Sequence, residues 1–368
     1  MQDIKNYAAH YYARGKEVVL QHDIAMALCC GLFVILLGVF LGIRNDQMIS
    51  ARLGSYVHYS LSNPLTVFTH WDGNDYIKIA QHGYKSLLDA GFFPFYPLVI
   101  RTFYYIFRSY LFSALFISWA SLVGAIYFYI KIIRHLGLVA KRTNIPLAVV
   151  PFVLFPTAVF MMVTYTEGLF ALFALASIYF AFKKRYVWVG LFILLAFLTH
   201  ITGAFLIVLD GLILLEEKVP FKKIVLSTAI GSLGLLTFMG YSYVRFHNAL
   251  EFLKSQTHIH GWLKANYLNL LLSTSYLNAF FAVLLVISAI YFWNKRRSFS
   301  IYSLLFLLIP LVGAKWGGFN RYVIMAFPIP IMVYQYFKDK QAYVWVVMLT
   351  AIFWTYTLLQ YAAGFISS

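Results

Sequence analysis

About eleven apolar segments occupy most of the chain, at about 24–43, 111–133, 145–163, 168–182, 186–199, 201–215, 224–244, 272–293, 299–314, 322–337 and 343–363. In hydrocarbon no water bonds the backbone, so a spanning segment closes its own hydrogen bonds as a helix. These runs predict an all-α polytopic membrane protein with about eleven transmembrane helices. Composition agrees, since 368 residues that are 62% hydrophobic and 11% charged, with mean hydropathy +0.76, exclude a soluble domain. The run from Ile24 to Ile43 has roughly the 20 residues a crossing needs and no small-residue cleavage pattern after it. It reads as an anchor, not a removable signal peptide.

The formal charge of +16 sits in short turns between apolar runs, so a lipid bilayer is the expected partner and nucleic acid is not. With the N-terminus cytoplasmic, the turns "KIIRHLGLVAKR", "KKR", "EEKVPFKK", "NKRR" and "KDK" and the N-terminal segment hold 18 of the 29 basic residues on one side, as the positive-inside rule expects. The extracytoplasmic face then receives the long segment 44–110, the turns "TYTEG", "THITG" and "KWGGFNRY", and the loop "RFHNALEFLKSQTHIHGW". Polar clusters gathered on one face mark an active site there. Segments 186–199 and 201–215 are short, which places "LTHITG" below the interface, where polar backbone is tolerated only if it lines a protein cavity. With no internal repeat, 1–368 reads as a single membrane-embedded domain. The adjacent Cys29 and Cys30 have neither disulfide nor metal spacing.

The stretch "HWDGNDYIKIAQHGY", from His70 to Tyr84, follows the first span and continues into "FFPFYPLVIR". Asp72 or Asn74 suits the cap of a helix whose apolar residues begin at Tyr76. Glu167, after Tyr165, suits a cap of the following helix, a partner for an outer arginine, or a place in the site. Asp210 lies in the inner half of a span, within reach of headgroups or a neighbouring helix. His258 and His260, with Asp72 or Asp75, come nearest to a ligand set, but histidines two apart face opposite sides of a helix, and no metal or other cofactor is expected.

"HWDGNDYIKIAQHGY" with "FFPFYPLVIR" resembles the first luminal loop of the PIG-V-like mannosyltransferases, the GPI mannosyltransferase II family and its bacterial relatives, which carry Trp-Asp, then Ile-Ala-x-x-Gly-Tyr, then Phe-Phe-Pro-x-x-Pro-Leu. "FPTAVFMMVTYTEGLFAL", "LEFLKSQTHIHGW" and "FNRYVIMAFP" are similar to later motifs of that family, in the same order. Where the family usually has Arg, "LTHITGAFL" has His200, whose charge depends on its surroundings.

The resemblance implies a GT-C-type bundle with a large first extracytoplasmic loop at 44–110. It implies an inverting glycosyltransferase, moving mannose from a polyprenyl-phosphate donor to a hydroxyl of a glycolipid, glycan or protein acceptor. Such a transfer needs a base for the acceptor hydroxyl, and Asp72 is the candidate. The leaving phosphate needs cations or hydrogen-bond donors, for which Arg321, His200 and Lys315 are the candidates. Trp71, Asp75, His82, Tyr84, Tyr165, Glu167, Gln256, Trp262 and Tyr322 are the substrate-binding candidates. The competing readings are a lipid or glycan transporter and a non-catalytic scaffold with a lipid-phosphate cavity. Alternating access calls for polar residues reachable from both faces, and the cytoplasmic turns supply only basic ones.

Overall fold

The computed structural model describes residues 2–53, 63–139, 142–260, 276–313 and 318–364, with the backbone alone at 2–18, 46–53, 142, 256–260 and 312–313. Lys315 and Trp262 lie outside the described residues, as does the side chain of Gln256. Among the described residues the chain is helical, without strands.

Helix α1 (Gln2–Leu53) contains the apolar stretch Val19–Asn45 and runs past both its ends. The 3-10 turn Pro64–Phe68 leads into α2 (Asp72–His82) and α3 (Phe95–Phe107), so the expected 44–110 loop contains substantial helix. Then follow α4 (Tyr110–His135), α5 (Ile145–Val153), α6 (Glu167–Phe182), α7 (Tyr186–Thr199), α8 (Gly203–Glu216) and α9 (Phe221–Phe246). The chain continues with α10 (Glu251–His260), α11 (Tyr276–Phe292), α12 (Arg297–Leu305), α13 (Leu308–Gly313), α14 (Phe319–Tyr322), α15 (Pro328–Phe337) and α16 (Ala342–Ala362).

Among the described residues, four helices are long and apolar enough to cross a membrane: the Val19–Asn45 part of α1, α4, α9 and α16. The remaining apolar segments form shorter helices, and three segments expected as unbroken spans are interrupted. A proline ring inside a helix collides with the carbonyl four residues earlier and supplies no N–H. Pro156 accordingly keeps 145–163 from continuing beyond Val153, and the backbone passes through turns and the 3-10 segment Ala158–Met161. Pro310 separates α12 from α13 at Phe306, and Pro328 restarts the helix after α14 and the 3-10 turn Val323–Met325. Pro151 lies inside α5, and the Leu147 carbonyl it leaves without an amide accepts from the Tyr343 hydroxyl of α16.

Packing sets the positions of these broken pieces. Helices α7 and α9 lie in close contact, and a Cβ on Gly234 would run into the Leu194 carbonyl, so only glycine allows the two backbones to approach so near. Asp23 of α1 is fully buried against Lys131 at 3.0 Å and Arg134 at 2.8 Å, tying the first helix to α4. Glu216 receives the backbone N–H of Ser298 at 2.8 Å and, with Glu217, pairs with Arg296 at 3.2 Å, fastening α8 to the start of α12. Asp210, expected to reach headgroups or a neighbouring helix, is buried inside the bundle beside Ser177 of α6.

Candidate active site

Four interrupted stretches meet at one place: 63–72 before α2, 154–167 before α6, 200–202 between α7 and α8, and 318–327 around α14. The Phe68 carbonyl joins the first two by accepting the Thr164 backbone N–H and hydroxyl, both at 3.1 Å. The next link is to the last helix, where the Tyr361 hydroxyl accepts the His70 N–H at 3.1 Å. Gly73 packs so closely on Thr164 that a Cβ there would overlap its hydroxyl, which accounts for the glycine after Trp-Asp.

Between these fixed points the chain turns sharply. Trp71 has φ 51° and ψ −123°, a conformation that glycine adopts freely and that costs other residues on the order of 1–3 kcal/mol. The turn is closed by the His70 carbonyl accepting from Gly73 N–H at 2.9 Å and the Trp71 carbonyl accepting from Asn74 N–H at 3.0 Å. Asp72 is thereby the first residue of α2, and its carboxylate points away from the helix to a partner elsewhere rather than capping it.

That partner is Arg321. Its Nη1 donates to Asp72 Oδ2 at 2.8 Å, its Nη2 donates to the Tyr322 hydroxyl at 2.9 Å, and its Nε lies 2.7 Å from Glu167 Oε1 in an ion pair. The guanidinium carbon stands 5.0 Å from the Tyr165 ring centre and 4.9 Å from that of Tyr322, within cation–π range of both. Burial works against the charge of Arg321, yet Tyr322, Glu167 and Asp72 together hold its pKa above the usual arginine value. Two carboxylates share one guanidinium, and burial pushes the Glu167 pKa up to about 7, so near neutral pH the three groups carry between zero and one negative charge. The side chains of Glu167 and Arg321 are 0% and 7% exposed, whereas Asp72 is 20% exposed and is the member a substrate can reach.

His200 stands beside this cluster with its ring centre 4.9 Å from that of Tyr322. Its Nδ1 accepts the Thr202 backbone N–H at 3.2 Å and lies 2.7 Å from the Thr202 hydroxyl. Burial, and then the charge of Arg321, push its pKa down to about 3. The cation expected here is therefore a neutral imidazole, because a protonated Nδ1 would lose its role as acceptor and would add a second positive charge near Arg321. At "LTHITG" the structure has buried, hydrogen-bonded polar side chains, but not a second positive charge.

Of the substrate-binding candidates, the structure brings Trp71, Tyr165, Glu167 and Tyr322 to the Asp72–Arg321 pair. Glu167 takes the arginine-pairing role open to it in the sequence. Asp75 pairs instead with the exposed Lys78 at 3.1 Å, and His82 is exposed at the far end of α2. Tyr84 is not at the cluster. Its hydroxyl donates to the Phe92 carbonyl at 2.7 Å, and its own carbonyl accepts from Arg245 of α9 at 2.7 Å and 3.0 Å, so it fastens the loop between α2 and α3. Thr164 and Tyr361 hold the site, but Thr164 opens the turn "TYTEG" without being singled out within it, and Tyr361 stands out in no motif, since a hydroxyl within an apolar run resembles any interfacial residue. Among the described residues no three His, Cys, Asp or Glu side chains converge as metal ligands.

The family model described as Mannosyltransferase (PIG-V) matches residues 40–281, a range that takes in Asp72, Glu167 and His200 and ends before Arg321. No curated protein matches the chain significantly.

Proposed function

The chain belongs to the PIG-V mannosyltransferase family and is a membrane glycosyltransferase, and from that premise we propose that it transfers mannose from a polyprenyl-phosphate donor to a hydroxyl on the extracytoplasmic face, with inversion. The observation that carries this reading is the partly exposed Asp72 carboxylate, set at the start of α2 and 2.8 Å from the Arg321 guanidinium. The acceptor oxygen attacks the anomeric carbon while its proton passes to Asp72. The bond from that carbon to the phosphate oxygen breaks, and the electron pair leaves with the polyprenyl phosphate. Nothing is oxidised or reduced.

Growing negative charge on the leaving phosphate is where fixed N–H donors lower a barrier most. Arg321 presents such donors on Nη1, now on Asp72, and on Nη2, now on the Tyr322 hydroxyl. Neutral His200 and the Tyr322 hydroxyl add polar groups beside it. Trp71, half exposed next to Asp72, offers an aromatic face to the sugar or the acceptor.

Purified protein incubated with radiolabelled polyprenyl-phosphate mannose and extracted membrane acceptors tests the reading. Label should move to an acceptor as free polyprenyl phosphate appears in equal amount. Donor bound but never consumed would leave a carrier or a scaffold in place of an enzyme.

A further inference from the structure

The arrangement around Arg321 has one fixed side and one exchangeable side. Glu167, fully buried, holds Nε, and the Tyr165 and Tyr322 rings hold the guanidinium plane. Asp72, on Nη1, is the accessible partner. An anion that approaches Arg321 therefore meets the Asp72 carboxylate already on the nitrogen it needs. The single positive charge of Arg321 already faces the Asp72 and Glu167 carboxylates, so an anion that takes Nη1 does so in exchange for the Asp72 contact.

We propose that the donor's phosphate and Asp72 compete for Arg321, so that donor binding displaces the carboxylate and releases it as the base. This rests on the reading of the protein as a polyprenyl-phosphate-dependent transferase. In the donor-free enzyme Asp72 is held by the guanidinium and is poorly placed to take a proton. Once phosphate occupies Nη1, the carboxylate has lost a cation and gained an anionic neighbour, and both changes make a carboxylate a stronger base. No covalent bond changes in this step; the acceptor proton moves only in the transfer that follows. Glu167 is the positioning residue that keeps the guanidinium in place while its partner on Nη1 is exchanged. The consequence is an order, with donor before acceptor.

The test is equilibrium binding of polyprenyl monophosphate, without acceptor, to the full-length wild type, Asp72→Asn and Asp75→Asn. If Asp72 competes, Asp72→Asn binds about tenfold more tightly or better, equivalent to about 1.4 kcal/mol. Asp75→Asn, which removes a charge on the same helix that does not touch Arg321, should bind as the wild type does. Asp72→Ser also removes the charge and gives the same comparison should the Asn variant fail to fold. Unchanged or weaker binding in the Asp72 variants overturns the proposal, as does equal tightening in Asp75→Asn, which would show general repulsion only. Wild type that transfers sugar while Asp72→Asn binds no better loses the competition and keeps the enzyme. Wild type that neither binds polyprenyl phosphate nor transfers sugar loses both.

Discussion

Asp72 and Arg321 are 249 residues apart in the chain and 2.8 Å apart in space, which joins the turn after the first span to the break before the last two helices. Glu167 closes the triad from a third segment. Removing one partner of a buried ion pair typically costs about 3–5 kcal/mol, because the remaining charge stays buried without compensation. Arg321→Met leaves two carboxylates facing each other, one of them with no access to water. Its thermal midpoint in detergent should fall well below that of the wild type, and Glu167→Gln added to it should restore part of the loss. A double variant no more stable than Arg321→Met would mean that Glu167 is not the charge Arg321 compensates.

Asp72→Asn retains the size of the side chain and removes the base. Transfer should fall about 100-fold or more, the usual range for a lost general base, with the thermal midpoint nearly unchanged. Asp75→Asn breaks only an exposed pair with Lys78, worth little in solvent, and should remain within a few-fold of wild type. Steady-state turnover with saturating donor separates the two, and a larger loss at Asp75 would move the base there.

Much of this site was legible from residue types in order. A Trp-Asp pair after a span, a Tyr-Thr-Glu turn and an Arg-Tyr turn on one face each mark polar side chains that a bilayer would not hold without a use. The sequence could not show which charges neutralise one another, since that depends on contacts across hundreds of residues. It offered Arg321, His200 and Lys315 to the phosphate; Lys315 lies outside the described residues, His200 is neutral, and the charge of Arg321 is already shared by two carboxylates. Helix ends were poorly legible for a related reason. Apolar runs look continuous across Pro156, Pro310 and Pro328, yet those prolines break the helices, and the breaks at Pro156 and Pro328 border irregular backbone on which the site is built. Tyr84 belongs to a recognisable motif, yet the contacts of its polar groups hold a loop, which no motif reveals.

His200 gives a pH prediction whose sign follows from its surroundings. Its folded pKa of about 3 lies below the ordinary 6.5, so the unfolded chain takes up a proton in that interval and the folded site does not. Stability from this residue is complete above about 6.5 and is lost as pH falls toward 3. The thermal midpoint should drop on acidification from pH 7 to 5, and His200→Gln should blunt the drop. Activity between pH 7 and 9 should show no limb from His200, so wild type and His200→Gln should have profiles of the same shape there. A limb near neutrality that disappears in the variant would restore His200 as a titrating cation.

Trp71 allows strain and contact to be separated. Its φ of 51° is enforced from both sides, by His70 held on Tyr361 and Gly73 pressed on Thr164, so the backbone cannot relax without moving α2. Trp71→Ala removes the indole and keeps the strain, while Trp71→Gly removes both. The glycine variant should therefore be the more stable of the two by about 1 kcal/mol or more, the reverse of the order in a helix interior. If the indole touches substrate, both should lose kcat/KM to a similar degree. If strain serves to aim Asp72, Trp71→Gly should lose kcat beyond Trp71→Ala although it melts higher. An alanine variant at least as stable as the glycine variant would show that the turn stores no strain, and Asp72 would then owe its direction to Arg321 alone.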